Sequence, residues 1–331
     1  MAELKLIASP EELDSLKGPG DIPPLTAEEL RVHRPDAHWV MIDNDGRLAG
    51  RCSLWWTVVP DLPGERLGVI GHYAARDAGS AGQLLAHACR ELAGHGCTVA
   101  VGPMDGNSWR RYRFVTERGP EPPFFLEPDN PDDYPQHFDT AGFAPLARYY
   151  SYLVSSLEGT VTAAAGLEAR LRADGITLRA LRPDNFTGEL ERIYDLSLAG
   201  FRDNFLYTPI GRAEFLAMYA KVQPHALPEL ILFAEQEGSP VGFIFSLPDM
   251  LRLQRGSPLD TVILKSLAVL PAWSGRGIGT LLMLKAMETA REMGFRRAIL
   301  ALIHEQNRSR TMSGHYGEEM RLYTLYARRV R

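Results

Sequence analysis

A short apolar run, a glycine-rich loop and an amphipathic helix follow one another in the second half of the sequence. The run covers residues 262–270 and has β-type character, Pro271 ends it, and the helix pattern begins at residue 278. Gly275, Gly277 and Gly279 lie at this junction, and their missing side chains leave backbone N–H groups accessible. Because the positive end of the helix dipole points at the same place, this loop suits a ligand that carries phosphates. A glycine turn that only connects two core elements is the alternative interpretation.

Length and charge limit the classes of protein to which the chain can belong. Its 331 residues exceed one typical domain and predict two. The net charge of -5 argues against a nucleic-acid partner, because proteins that bind a phosphate backbone usually carry a basic surplus. No apolar run approaches the roughly 20 residues that span a bilayer, and the first residues lack the pattern of a signal peptide. We therefore expect no membrane partner.

The three cysteines, Cys52, Cys89 and Cys97, have no metal-binding spacing. Their odd number and the lack of a CxxC pair or a neighbouring histidine pair argue against a disulfide scaffold and against structural zinc. We therefore expect no metal, buried thiols and a cytoplasmic protein. The sequence does not indicate an oligomeric state.

The same order of predicted elements occurs twice along the chain: strand, helix, hairpin, strand, helix, strand, polar turn and last strand. The matching features are Gly96, a strand over residues 97–101 and Asn107 in the first half, and Gly294, a strand over residues 298–303 and Asn307 in the second. This repetition predicts duplication of one mixed α/β domain. We expect domains at residues 1–155 and 176–331 with a connector at 156–175, and a turn-rich break at 18–24.

The two predicted copies differ in the turn between strand and helix. In the first half this turn, residues 76–82, contains Gly79 and Gly82 but no alternating glycines, and it contains Asp77. A carboxylate there would repel bound phosphates. We therefore expect the first half to be a structural or acceptor-side domain and the second half to hold the cofactor.

A proline-rich, acidic segment covers residues 109–135. Its aromatic residues, including Trp109 and Phe124, predict a long ordered loop anchored by apolar groups. The acidic side chains could attract a cationic amine, although a solvent-exposed loop explains the same composition.

The second half resembles the GNAT superfamily of acyl-CoA-dependent N-acyltransferases over about residues 176–330. The residues that carry the resemblance are Leu267, Ala268, Val269 and Pro271, the loop Ser274, Gly275, Arg276, Gly277, Ile278 and Gly279, the helix after it, and Asn307. The family's loop has Gln or Arg, two residues, Gly, one residue, then Gly or Ala. Here Ser274 replaces the long polar residue, and Arg276 is expected to supply the positive charge instead. The first half is similar to the family by topology, Asn107 and the pair Gly142 and Phe143.

The resemblance implies two tandem GNAT-like domains, each with a mixed, mostly antiparallel sheet flanked by helices. It also implies that acyl-CoA, most simply acetyl-CoA, binds the second half and that a primary amine held between the halves attacks the thioester directly. A backbone N–H near Val269 would stabilise the oxyanion. The implied cofactor-binding residues are Leu267, Ala268, Val269, Ser274, Gly275, Arg276, Gly277, Ile278, Gly279, Thr280 and Asn307. The first three would pair with the pantetheine arm, the loop would hold the pyrophosphate, and Asn307 would contact the pantetheine.

The resemblance leaves the general acid open. In the family a tyrosine four residues before a terminal Gly-Phe pair often protonates the leaving thiolate. Here Gly317 is not followed by phenylalanine, and Ser313 stands at the tyrosine position. Tyr316 is the candidate acid from a shifted position, with packing of a short helix as the alternative role.

The general base is also open. His304 and Glu305 follow a predicted strand near the expected thiol, so either is a candidate base, and each also fits an ordinary polar group at a strand end. Lys265 lies inside the apolar strand, and we interpret it as a side chain whose charge reaches solvent rather than as a catalyst.

Two other functions remain compatible with the sequence. A non-catalytic acyl-CoA-binding or regulatory module would explain Ser274 and the missing tyrosine at position 313. A nucleotide-binding protein is less compatible, because the loop lacks the G-K-[S/T] ending of a P-loop and the spacing of a dinucleotide fingerprint.

Overall fold

The computed structural model describes residues 3–16, 22–158 and 162–330. The strands are β1 (Glu3–Leu6), β2 (Ala37–Ile42), β3 (Leu48–Trp55), β4 (Leu67–Ala75), β5 (Val99–Gly102), β6 (Phe114–Glu117), β7 (Ala144–Val154), β8 (Ile176–Ala180), β9 (Ile231–Gln236), β10 (Ser239–Pro248), β11 (Thr261–Val269), β12 (Arg297–His304) and β13 (Glu318–Arg329). Most of the break predicted at 18–24 and part of the predicted connector lie outside the described residues.

Helices cover both faces of the sheet. They are α1 (Ala27–His33), α2 (Ala78–Gly94), α3 (Tyr134–Thr140), α4 (Thr162–Ala173), α5 (Phe186–Phe201), α6 (Arg212–Ala220), α7 (Met250–Gln254), α8 (Ile278–Glu292) and α9 (Arg308–Tyr316). In the second half α4 and α8 pack on one face, and α5 and α6 pack on the other. Within the described ranges, none of these helices has both the length and the hydropathy needed to cross a bilayer.

One continuous sheet runs through the molecule. Its order is β1-β2-β3-β4-β5-β13-β7-β12-β11-β10-β9-β8, and β6 pairs with β13 beside this path. The pairs β4 with β5 and β11 with β12 are parallel, and the other pairs are antiparallel. The predicted fold class, mixed and mostly antiparallel sheets flanked by helices, is therefore confirmed.

Both predicted hairpins form because their turn residues accept left-handed backbone angles. Strands β2 and β3 pair antiparallel around a turn in which Gly46 has φ of +76°. Strands β9 and β10 are joined by Glu237 and Gly238, with φ of +50° and +80°. Two consecutive positive angles match the twist of the flanking strands.

The two halves of the chain exchange their last strands. Strand β7, from the first half of the sequence, pairs with β12 of the second half. Strand β13, the last of the second half, pairs with β5 of the first half and also with β7. Each half of the sheet is thus completed by a strand from the other half, so strand pairing crosses the predicted domain boundary at residue 155.

The segment 109–135 is more structured than its proline content predicts. It contains β6, which pairs with β13, and α3 begins at Tyr134 within it. Phe124 and Tyr134 are buried, as expected for apolar anchors. The prediction of one long loop was wrong because β6 gains its hydrogen bonds from β13, which is far away in sequence.

Four of the six acidic side chains of this segment are paired with arginines. Arg118 pairs with Asp129 and Asp132, Arg297 with Glu121, and Arg321 with Glu127. Paired carboxylates attract an additional cation weakly, since their charge is already compensated. The segment therefore offers little net attraction for a cationic amine.

We expect neither half of the chain to fold alone. Without β7, fragment 176–331 loses the antiparallel neighbour of β12 and both neighbours of β13, and fragment 1–155 lacks β13 between β5 and β7. Each fragment expressed alone should be insoluble or should melt without a cooperative transition in circular dichroism. Co-expression should give a soluble complex that purifies as one species. Cooperative unfolding of either isolated fragment would contradict the strand exchange.

Candidate functional site

Strands β11 and β12 separate halfway along their length. Their parallel pairing runs from Thr261 with Arg297 to Leu264 with Leu300 and stops there. Residues 266–269 of β11 stay paired with β10, but in the described register they have no partner on the β12 side. One edge of β11 is therefore open to hydrogen bonding with an extended ligand.

Irregularities in both strands produce this opening. The register between β10 and β11 shifts at Lys265, which has no paired residue on β10. In β12 the register shifts around Leu302, whose φ of +64° turns the strand away. The N–H of Leu302 donates to Oγ of the buried Ser151 on β7 at 3.2 Å. A bulge on each side thus directs β11 and β12 apart.

Helix α8 begins at the end of β11, next to the open edge. Gly275 and Gly277 have φ of +79° and +96°, and Gly277 is the N-cap of α8 without any side-chain cap. The first-turn N–H groups of an uncapped helix have no intrahelical acceptor. The predicted loop therefore has the geometry of an anion site, and Ser274, Gly275 and Arg276 are exposed.

Helix α4 brings an additional arginine to this loop. The exposed Arg170 donates from Nη2 to the carbonyl oxygen of Arg276 at 3.1 Å. The guanidinium of Arg276 itself lies over the Trp273 ring, 4.5 Å from its centroid. Sequence reasoning missed Arg170, because only the packing of α4 on α8 brings the predicted connector to the loop.

In the first half, the equivalent helix start is capped and the equivalent opening between strands is filled. Helix α2 starts at Ala78, earlier than predicted, and the Asp77 carboxylate caps it by accepting the N–H of Ser80 at 2.8 Å. The opening between β4 and β5 is filled by the chain after β5, where Met104 donates its N–H to Ile70 O at 2.9 Å. A Cβ on Gly71 would lie 2.0 Å from the carbonyl oxygen of Met104. The first half therefore occupies its own opening.

His304 and Glu305 lie at the end of β12, as predicted, and both are already engaged. Nδ1 of His304 accepts the N–H of Gln306 at 3.2 Å, and Oε1 of Glu305 accepts the N–H of Arg148 at 3.0 Å. The His304 ring lies against Tyr149, with centroids 4.9 Å apart. Burial lowers the pKa of His304, Glu305 raises it, and nearby Arg113 lowers it. The imidazole is therefore neutral near pH 7, with its proton on Nε2.

Tyr316 and Asn307 lie on α9 and at its start. Tyr316 packs against the core cluster that also contains side chains of α4 and α8, whereas His304 contacts Tyr149 on the opposite face of the sheet. The two predicted acid–base residues are therefore not brought together. Asn307 is exposed and makes no side-chain cap, while its N–H donates to His304 O at 2.9 Å.

Lys265, interpreted above as a side chain that reaches solvent, is half-buried at the bulge of β11. Its Nζ lies 3.5 Å from Leu126 O. Burial and the positive charge of Arg113 lower its pKa to about 7, and Glu127 opposes that shift. In the sequence, Lys265 is recognisable only as a lysine inside an otherwise apolar strand. The bulge that changes the direction of its side chain cannot be read from the sequence.

Glu127 does not neutralise Lys265, because other groups bind its carboxylate. Its oxygens accept from Tyr323 Oη and from Phe124 N and pair with the buried Arg321. Tyr323 also contacts Ser151 Oγ at 3.0 Å. A buried polar network thus borders the opening on the β13 side.

A separate group of polar side chains, His33, His72 and Asp105, lies at the filled opening of the first half. The potential ligand atoms are within 4.8 Å of one another. However, His33 Nδ1 and His72 Nε2 are only 2.7 Å apart in rings tilted by 21°. A metal at about 2.0–2.1 Å from each nitrogen would hold them farther apart, so this is the geometry of a direct hydrogen bond.

We expect Gly71→Ala to destabilise the protein, because its Cβ would collide with the backbone of Met104. The free energy of unfolding should fall by about 3 kcal/mol, measured by urea denaturation. Gly82→Ala is the matched control: Gly82 lies in α2 and a Cβ there meets nothing within 4 Å, so stability should rise by about 0.5–1 kcal/mol. Equal stability of both variants would mean that Met104 does not fill the opening.

Comparison with known sequences agrees with this geometry. Residues 190–312 match the family model described as "Acetyltransferase (GNAT) family". A protein named bacterial ceramide synthase from Caulobacter vibrioides is 25% identical over 262 residues, which cover 75% of this chain and 68% of that protein.

Solved structures with similar folds include tandem proteins. A tandem GNAT protein from the clavulanic acid biosynthesis pathway aligns with a TM-score of 0.51 at 15% identity, covering 99% of each chain. A GCN5-related N-acetyltransferase from Sphaerobacter thermophilus aligns with a TM-score of 0.52 at 15% identity, covering 100% of this chain and 96% of that chain. At this identity the likeness shows the fold.

Proposed function

We propose that this chain, a member of the GNAT superfamily of acyltransferases, transfers an acyl group directly from acyl-CoA to a primary amine held between its two halves. The family and the fold support N-acyltransferase activity and acyl-CoA as the co-substrate in general. Acetyl-CoA as the donor and a small-molecule or peptide amine as the acceptor are the finer parts of the proposal.

The main support for the proposal is that two features occur together in the second half and not in the first. The open edge of β11 leads directly to the uncapped start of α8. In the first half the equivalent helix start is capped by Asp77 and the equivalent opening is filled by Met104. A ligand with an extended amide-bearing arm and a diphosphate at its far end, which is the chemistry of CoA, fits this combination.

In the proposed complex the predicted cofactor-binding residues act through their backbones. Leu267, Ala268 and Val269 would pair with the pantetheine arm, and the N–H groups from Gly275 to Thr280 would bind the pyrophosphate. Arg170 would join Arg276 in supplying the charge that Ser274 lacks. Bound acyl-CoA supplies the activated thioester, so no covalent intermediate with the protein is needed.

We assign the role of general base to Lys265. The attacking ammonium must lose a proton, and a base with a pKa near the working pH serves best. Lys265 lies at the bulge where the strands separate, and its pKa of about 7, lowered chiefly by burial, leaves much of it neutral near pH 7. His304 and Glu305 remain predicted alternatives, although both already accept backbone N–H groups. The role of Tyr316 as acid also remains a prediction.

One relative favours a second acceptor class. The Caulobacter protein is named a ceramide synthase, and a ceramide is the N-acyl derivative of a long-chain amine. An aliphatic amine and a long acyl chain are therefore a second candidate pair. Rates with acetyl-CoA and palmitoyl-CoA, each with small and long-chain amines, would separate the two candidates.

We expect Arg170→Glu to weaken CoA binding, because it replaces a cation beside the loop with an anion. The Kd from isothermal calorimetry should rise about tenfold. Arg172→Glu is the matched control, since it lies on the same helix with its side chain 74% exposed and pairs with Glu168. We avoid Gly277 for this test because a Cβ there would meet Arg170 and Leu167 at 3.0 Å. Equal CoA affinity in both variants would remove Arg170 from the site.

We expect acyl transfer to depend on a group that titrates near pH 7. Only neutral Lys265 can accept a proton, so kcat/KM, which reports the free enzyme, should fall about tenfold per pH unit below its pKa of about 7 and level off above it. Lys265→Met should remove this limb and lower kcat by about 100-fold or more, while exposed Lys221→Met on the surface should change neither. An unchanged pH profile in Lys265→Met would exclude the assignment. If acyl-CoA binds but no amine causes the release of free CoA thiol, a non-catalytic binding module is favoured.

A further inference from the structure

Arg113 lies on the loop that fills the opening of the first half. Met104, the residue in that opening, forms a β-bridge with Tyr112, and the N–H of Arg113 donates to Pro103 O at 2.9 Å. Arg113 has a left-handed backbone, with φ of +66°. A non-glycine residue held in this conformation is strained, and such strain is often kept where a side chain must point in a particular direction.

The Arg113 guanidinium is buried between aromatic rings and lacks an anionic partner. The residue is 6% exposed, and its Cζ lies 4.0 Å from the Tyr112 centroid and 4.1 Å from the Tyr149 centroid. Its Nε and Nη1 are buried without a hydrogen-bond acceptor. Among residues 3–16, 22–158 and 162–330, no carboxylate forms an ion pair with it. Cation–π contacts stabilise the charge but leave these N–H groups unsatisfied.

The guanidinium is linked to both walls of the opening between β11 and β12. It lies over Tyr149, whose ring contacts His304 on β12, and its charge acts on Lys265 on β11. Burial lowers the pKa of both Lys265 on β11 and His304 on β12, and the charge of Arg113 lowers both further. The same cation therefore acts on both walls of the opening, on the face that the proposed acceptor would approach.

Within the described ranges, the carboxylates that act on Lys265 and His304 already have other partners. Glu127 is the anion that acts on Lys265, and it is bound by Arg321, Tyr323 and Phe124 N. Glu305 is near His304 and accepts the N–H of Arg148. A buried guanidinium without a partner is costly, so a complementary anion is expected from the ligand.

The phosphates of CoA are poorly placed to be this anion. The glycine-rich loop at residues 274–279 begins beyond Val269. The distance from Lys265 to Val269 along β11 is about 13 Å at 3.3 Å per residue. The part of an acyl-CoA near Lys265 would be its uncharged thioester end. The anion must then belong to the second substrate.

We propose that Arg113 binds a carboxylate of the acceptor, so that the acceptor is an amine that also carries a carboxylate, in chemical terms an amino acid. This inference rests on the proposed acyl transfer. The planar guanidinium suits a carboxylate, which it can bind through two parallel N–H groups. The amino group of the same ligand would then lie near Lys265 and the thioester.

The test measures acceptor binding apart from turnover. The full-length protein saturated with CoA is titrated by calorimetry with L-amino acids and β-alanine, each paired with its carboxamide, and with O-phosphoethanolamine. We expect at least one amino acid to bind about tenfold or more tighter than its amide. Equal binding of acid and amide, binding of neither, or exclusive binding of O-phosphoethanolamine would overturn the carboxylate assignment.

Variants test whether Arg113 is responsible. Arg113→Gln should weaken the preferred amino acid about 30-fold or more and remove the preference over the amide, while Arg113→Lys should keep part of it. Arg118→Gln is the control, since Arg118 lies nearby in sequence and pairs with Asp129 and Asp132. A preference that survives Arg113→Gln would remove Arg113 from the site. CoA affinity and thiol release, measured separately, report on the proposed function itself, so its failure is distinguishable from failure of the carboxylate site.

Discussion

The pairing of β7 with β13 is the interaction on which the rest of the structure depends. Because each of these strands completes the sheet of the other half, neither half is an independent unit in terms of hydrogen bonding. Strand β7 also supplies Ser151, which accepts the N–H of the bulged Leu302, and Tyr149, which packs against Arg113 and His304. The opening in the second half is therefore built in part by residues of the first.

The two duplicated halves differ at the start of the helix that follows the strand and its turn. The same strand, turn and helix occur in both, but α2 is capped by a carboxylate and α8 by a glycine without a side chain. The chain that fills the first opening through Met104 continues to Arg113, whose charge acts on Lys265 and His304 at the second opening. The loop that fills the opening of the first half can thus also act on the opening of the second half.

Local signals in the sequence were sufficient for the local parts of the fold. The hairpin turn at Gly46, the glycines around Gly277 and the strand–loop–helix order depend on backbone angles that particular residues allow, so they could be predicted. The strand exchange and β6 could not, because their partners are far away in sequence. Met293 is 40% exposed, although methionine is apolar, because α8 ends just before it.

In the candidate site, too, local features could be predicted from the sequence and long-range contacts could not. The geometry of the loop before α8 was predictable from its glycines, whereas Arg170 reaches this loop only through the packing of α4 on α8. Lys265 was visible as a lone charge in an apolar strand, yet its proposed role depends on a bulge and on Arg113. Sequence patterns describe which residues an element exposes, but the pKa of a side chain depends on every element packed against it.

The electrostatics of the opening couple the two proposals. Burial is the main cause of the low pKa of Lys265, and the charge of Arg113 is the second. A carboxylate bound to Arg113 would compensate that charge, so the pKa of Lys265 would rise when the acceptor binds. A higher pKa makes the neutral amine a stronger base at the moment when an ammonium next to it must lose its proton. The loop that carries Arg113 belongs to the first half, and it would thus raise the basicity of Lys265 when the acceptor binds. The first half would then have a chemical role in addition to its structural one.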